Sequence, residues 1–128
     1  MDLKLIPETN FLKSDISGSD SKFLIFDLEW EEQRHSVVRI GKKMATQDEH
    51  SNIFVDFVEE LSNQFLMDEE TIARLIIGKR FGGGQLQLQN DFIAITGFSA
   101  RYGKENNRNF TKEILERNLH YKFFIPGW

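Results

Sequence analysis

Apolar residues at Ile53, Phe54, Phe57, Val58, Leu61 and Phe65 recur at helical spacing, giving a stripe that can cover one face of a sheet. Thr46 and Glu49 have the spacing of a capping box, so this helix is expected to begin near them. Phe23 to Phe26 with Leu28 form a short apolar run that reads as a buried strand. Glu31 to Gln33 then form a polar turn, and Val37, Val38, Ile40 and Gly41 supply the returning strand of a hairpin, with Arg39 inside it.

Leu3, Leu5 and Ile6 before Pro7 predict a short edge strand. Ser14 to Ser21 is a loop of Ser, Asp and Gly, and Asp68 to Ile76 suits either a short helix or the entry to a strand. After Gly82, Gly83 and Gly84, the alternation of Leu86 and Leu88 with Gln85, Gln87 and Gln89 has the period of a half-buried strand. Asn90 and Asp91 turn the chain into a partner strand through Phe92, Ile93 and Ile95 to Phe98. The polar stretch Tyr102 to Asn109 is a loop. Thr111 is the expected N-cap of a second helix, with Phe110 stapling onto Leu115. Tyr121 to Ile125 form a last strand that Pro126 ends.

Composition narrows what such a domain can do. The 128 residues are 40% hydrophobic, with 12 Phe, enough for one core and one domain spanning residues 1–128. The absence of cysteine removes disulfides, thiolate metal sites and thiol nucleophiles. Sixteen basic against twenty acidic residues give a net charge of -4, so neither nucleic acid nor an anionic membrane is an expected partner. The start of the chain has neither a signal peptide nor a membrane span, which leads to the expectation of a soluble cytoplasmic protein.

Three histidines, His35, His50 and His120, are the candidates for proton transfer or nucleophilic attack near neutrality. His120 falls at a helix end and His35 beside Glu31 and Glu32, positions that charge complementarity explains. His50 falls in the first turn of the long helix, where the dipole favours a neutral imidazole and a bound anion, while Asp48 and Glu49 favour the cation. It reads either as a solvated surface histidine or as a base or nucleophile. The triple glycine lacks the Lys-Ser/Thr of a phosphate loop and reads first as a bend or bulge in a strand. Gly97 to Gly103 could present a hydroxyl and successive amides to an oxyanion, or be an ordinary turn.

Taken in order, these segments resemble the protein histidine phosphatases of the Janus–Ocnus family over nearly the whole chain. Leu5-Ile6-Pro7 resembles the opening strand, Lys22-Phe23-Leu24-Ile25 the strand with the phosphate-side lysine, and Val38-Arg39 the Val-Arg-Gly segment. His50 with Ile53-Phe54 resembles the reactive histidine and its helix, Gly82-Gly83-Gly84 the triple glycine, and Gly97-Phe98-Ser99 with Tyr102-Gly103 the Gly-aromatic-Ser-x-x-Tyr-Gly signature. The chain departs from the pattern at Ile40, where a glycine is expected, at Gln85, where an arginine is usual, and at Arg101, where a small residue is usual. It is also longer before His50, and longer again around Met67 to Ile76.

The resemblance implies an α/β (α+β) domain with a mixed sheet of about six strands against two main helices. It implies metal-independent, cofactor-free hydrolysis of the P–N bond of phosphohistidine in partner proteins, by a monomer. His50 would be the general base or nucleophile. Ser99, the amides of Ala100 and Arg101, Lys22 and Arg39 would hold the phosphoryl oxygens. The alternative is a weak or inactive member that binds phosphohistidine or another phosphorylated partner. A third class is an interaction domain using Trp30 or Trp128.

Overall fold

The computed structural model describes residues 1–10, 21–42, 49–77, 81–89 and 91–126. Strands β1 (Ser21–Trp30) and β2 (Gln33–Lys42) form the expected hairpin, paired from Trp30 opposite Gln33 to Ser21 opposite Lys42. Its two-residue turn places Glu31 at φ 57, as tight hairpin loops require. Strands β3 (Phe81–Gln89), β4 (Phe92–Thr96) and β5 (Lys122–Phe124) complete one sheet in the order β2-β1-β3-β4-β5. All neighbours are antiparallel except β4 and β5.

Helix α1 (Glu49–Phe65) covers one face and α3 (Arg108–Asn118) the other. This explains the four consecutive apolar residues Phe23 to Phe26 of β1. Leu24, Phe26 and Leu28 pack with Phe57 and Leu61 of α1, while Phe23 and Ile25 pack with Ile114 and Leu115 of α3, as alternation across a strand dictates. α3 touches β5 and β2, the two edge strands, so the sheet curls around it. Among the described residues no helix is long and apolar enough to cross a membrane.

The sheet has five strands rather than about six, because the expected opening strand is a 3₁₀ turn, Leu3–Leu5, capped by Asp2. Such a turn puts residues three apart on one side, and here Leu3 and Ile6 are both buried. Pairing with the free edge of β2 passes to the next residues. Val38 N–H donates to Glu8 O at 2.7 Å, Thr9 bridges Val38 in parallel, and the Asn10 side-chain amide bonds both N and O of Ile40. The edge of β2 around Val38 and Ile40 is thereby covered without a sixth strand.

The helix reading of Asp68 to Ile76 is the one adopted. Asp68 accepts from Thr71 N and Oγ1 ahead of a single turn, α2 (Glu69–Thr71), which runs into a π turn, Ile72–Ile76. The cap of α3 is Asn107, not Thr111: Asn107 accepts from Phe110 N at 3.1 Å. Thr111 lies buried inside the helix, its hydroxyl turned to Glu105. Thr46 and Trp128 lie outside the described residues, and Trp30 is half-buried against the core on the α1 side.

Candidate functional site

The first turn of α1 lies over one row of the sheet. Gly41, Lys22, Gln85 and Thr96 pair side by side across β2, β1, β3 and β4. Lys22 is two residues from Leu24 and so shares its face, the one α1 covers. The helix sits close enough that a Cβ on Gly41 would fall 2.8 Å from Ile53. Gln85 lies between Lys22 and Thr96 in this row, and the Cβ position of Gly97 is 3.7 Å from its side chain. The row thus carries one cation and one neutral amide toward the helix start.

His50 is 3% exposed, which rules out the solvated surface histidine. Its Nε2 lies 3.1 Å from the carbonyl oxygen of Gly84. A carbonyl can only accept, so Nε2 carries the hydrogen, and in the neutral ring the lone pair is on Nδ1. The Gly84 backbone is reached because β3 lacks side chains there. A Cβ on Gly83 would lie 2.0 Å from Phe23 O, and one on Gly84 2.3 Å from Thr96 O. The three glycines pair with β1 in unbroken register under close backbone approach, so no bulge forms there.

The Ser99 loop is bound to the same strand. Gly97 and Gly103 have φ of +67° and +79°, and between them Ser99 and Gly103 exchange backbone bonds at 3.2 and 2.8 Å. Ser99, 1% exposed, accepts from Tyr102 N at 3.0 Å through its hydroxyl oxygen, which leaves its O–H able to donate. Gly103 O accepts from Gly83 N at 2.9 Å. Tyr102 stacks on Phe54 of α1 and against Phe81, and Arg101 Nη1 donates to Ser51 Oγ at 3.2 Å. Ala100 is at the exposed tip of the turn.

The fold therefore gathers His50, the Ser99 loop and Arg101 around the start of α1, with Lys22 and Gln85 on the sheet beneath. Arg39 is not among them. Arg39 is 2% exposed, and its guanidinium pairs with both oxygens of Glu60, at 3.0 and 2.8 Å, with a third bond to Val38 O and the Phe57 ring 4.7 Å away. Glu60 follows His50 by ten residues, about 15 Å along a helix. His35 bonds Ile6 O at 2.8 Å, and His120 is exposed beyond α3. Ser51 gives no signal of its own in the sequence, since only the Arg101 contact brings it into the site, whereas Gln85 stands out as the position where an arginine is usual and the strand register places it beside Lys22.

Among the described residues no three His, Asp or Glu side chains converge as a metal site would require. Away from the site, Arg117 and Asn118 bond the Glu8 carboxylate and hold its pKa at about 2 despite partial burial. A family model described as Janus/Ocnus matches residues 9–124. Comparison with curated proteins gives no match.

Proposed function

The chain belongs to the Janus/Ocnus family, and from that premise we propose that it hydrolyses phosphohistidine in proteins, with His50 as the reacting side chain. The observation that carries this reading is the Nε2–H bond to Gly84 O, which buries one ring nitrogen as a donor and makes Nδ1 the basic nitrogen of the neutral ring. Nδ1 either takes a proton from water as the water oxygen attacks phosphorus, or attacks phosphorus itself. In both routes the P–N bond breaks, the leaving imidazole nitrogen takes up a proton, and water supplies the oxygen of the released phosphate.

The transition state of such a transfer is loose, with charge on the phosphoryl oxygens, so donors placed around it supply most of the catalysis. The Ser99 O–H, the Ala100 and Arg101 amides, the Arg101 guanidinium and Lys22 are the proposed donors. Arg39 is left out, since its guanidinium is engaged by Glu60.

A second reading, a phosphohistidine binder without turnover, is favoured by Gln85, a neutral side chain where the family resemblance leads one to expect a guanidinium. Phosphate release from a phosphohistidine peptide decides between them. Hydrolysis by the wild-type chain that falls about a hundredfold or more in a folded His50→Ala variant supports catalysis by His50. Binding of the peptide without release supports the second reading, and unchanged turnover in His50→Ala removes His50 from the mechanism.

A further inference from the structure

Glu105, Arg108 and Thr111 are buried polar side chains that no step of the proposed hydrolysis uses. Arg108 Nη2 donates to Glu105 Oε1 at 2.8 Å and to Gly83 O at 3.3 Å, and its Nε also donates to Glu105 Oε1. Thr111 Oγ1 donates to the other carboxylate oxygen, Glu105 Oε2, at 2.7 Å. Arg108 also lies over the Phe23 ring, 5.8 Å from its centroid. The glycines make room for this group: a Cβ on Gly84 would lie 2.7 Å from Arg108 Nη2, and one on Gly82 2.6 Å from Glu105 N.

A buried ion pair is a costly way to obtain stability alone, because apolar side chains of similar volume serve as well or better. What a guanidinium adds is a planar fork that can hold a carboxylate and a carbonyl at once. Here the carbonyl is that of Gly83. Its own N–H donates to Gly103 O in the Ser99 loop, and the next carbonyl along the strand, Gly84 O, accepts from His50 Nε2. Both halves of the candidate site are thus referenced to one peptide segment, and the Arg108 fork grips that segment from the α3 side.

We propose that Glu105, Arg108 and Thr111 are positioning residues: by fixing the Gly83–Gly84 backbone they hold the His50 ring in its Nε2–H form and set its distance from the Ser99 loop. The catalytic consequence rests on the proposed phosphohistidine hydrolysis, whereas the ring state of His50 does not. The test therefore uses two readouts on the whole chain: the ring ¹⁵N signals of His50, and kcat and KM on a phosphohistidine peptide. Thr111→Val removes one hydroxyl from the network at nearly constant volume, Glu105→Gln removes its charge, and Thr111→Ser restores the donor.

In Thr111→Val and Glu105→Gln the two ring nitrogens are expected to move toward each other as the tautomers mix, with kcat lowered about tenfold and KM unchanged, as for a misplaced reacting group. Thr111→Ser should return both to wild type. If Glu105→Gln does not fold, the Thr111 pair decides alone. Ring signals at wild-type positions in folded Thr111→Val overturn the proposal, even where the melting temperature falls, since a merely structural role predicts that result. A wild-type chain that releases no phosphate refutes the hydrolysis, while the ring signals still decide whether the network positions His50.

Discussion

Replacing Glu60 with Gln should cost stability and leave phosphate affinity untouched. Arg39 is 2% exposed and gives two of its donors to the Glu60 carboxylate and a third to Val38 O. Removing one partner of a fully buried pair costs about 3–5 kcal/mol, most of it the penalty of an unmatched charge. The Glu60 side chain is 37% exposed, so water can take over part of its role, and Gln keeps one acceptor oxygen. Both effects reduce the expected cost to about 1–2 kcal/mol.

For a chain of this length that cost corresponds to a fall in Tm of roughly 3–12 °C. Arg39→Met, which withdraws the charge and keeps an apolar stem over Phe57, should cost no more than Glu60→Gln, because no buried ion is left without its partner. Thermal melts followed by circular dichroism read the stability, and titration of inorganic phosphate followed by backbone amide shifts reads the binding. A Glu60→Gln or Arg39→Met chain that melts at the wild-type temperature but binds phosphate tenfold more weakly would refute the placement of Arg39 outside the site.

Gly83→Ala should cost more than about 3 kcal/mol or abolish the cooperative melt, because its Cβ would lie 2.0 Å from the Phe23 carbonyl, whereas Gly41→Ala meets only the side chain of Ile53 and should cost less. Arg101→Ala should weaken phosphate binding about tenfold or more and flatten its salt dependence, the usual effect of losing a charge-assisted donor; equal affinity in a calorimetric titration would exclude its guanidinium from the site. Glu8 has a folded pKa of about 2 against an ordinary value of 4.5, so its stabilisation is complete above about 4.5 and is lost as pH falls toward 2. The stability difference between wild type and Glu8→Gln should therefore be present in urea melts at pH 6 and shrink toward zero near pH 2; a pH-independent difference would contradict the ion pair with Arg117.

What the sequence reveals follows from the range of the interactions concerned. The stripe of α1, the alternation in β3 and the β1–β2 hairpin depend on neighbours a few residues apart, and all three occur where periodicity places them. The opening segment misled because Leu3, Leu5 and Ile6 fit a strand, while Gln33 bonds Leu3 N and Met1 O and favours a turn. That competition is settled thirty residues away and leaves no local trace. Thr111 misled for the same reason: a threonine ahead of an apolar run is a good cap, but Glu105 takes its hydroxyl and Asn107 does the capping. The stretch Tyr102 to Asn109 is polar in sequence, yet it contains the buried Glu105 and Arg108, since their charges cancel each other only in the folded chain.

The two departures from the family resemblance that bear on charge, Gln85 and Arg101, concern the same small volume. Gln85 leaves Lys22 as the cation of its sheet row, while Arg101 brings a guanidinium to Ser51, one residue beyond His50, from the opposite side. A guanidinium near the helix start is thereby carried not by a strand, whose register is fixed on both sides, but by the outer face of a turn. A strand-borne guanidinium would be held by the sheet; Arg101 is exposed, with contacts that include the Ser51 hydroxyl at 3.2 Å and the Tyr102 ring. Under the proposed function, phosphate affinity should then survive the loss at Gln85 while depending more on ionic strength than a buried donor would allow. The precision of attack should rest on the elements that remain rigid: Ser99, pinned by Tyr102 and Gly103, and His50, pinned by Gly84. Binding and catalysis are in this way assigned to different parts of the site, so that changes at Arg101 should act mainly on KM and changes behind Gly83 and Gly84 mainly on kcat.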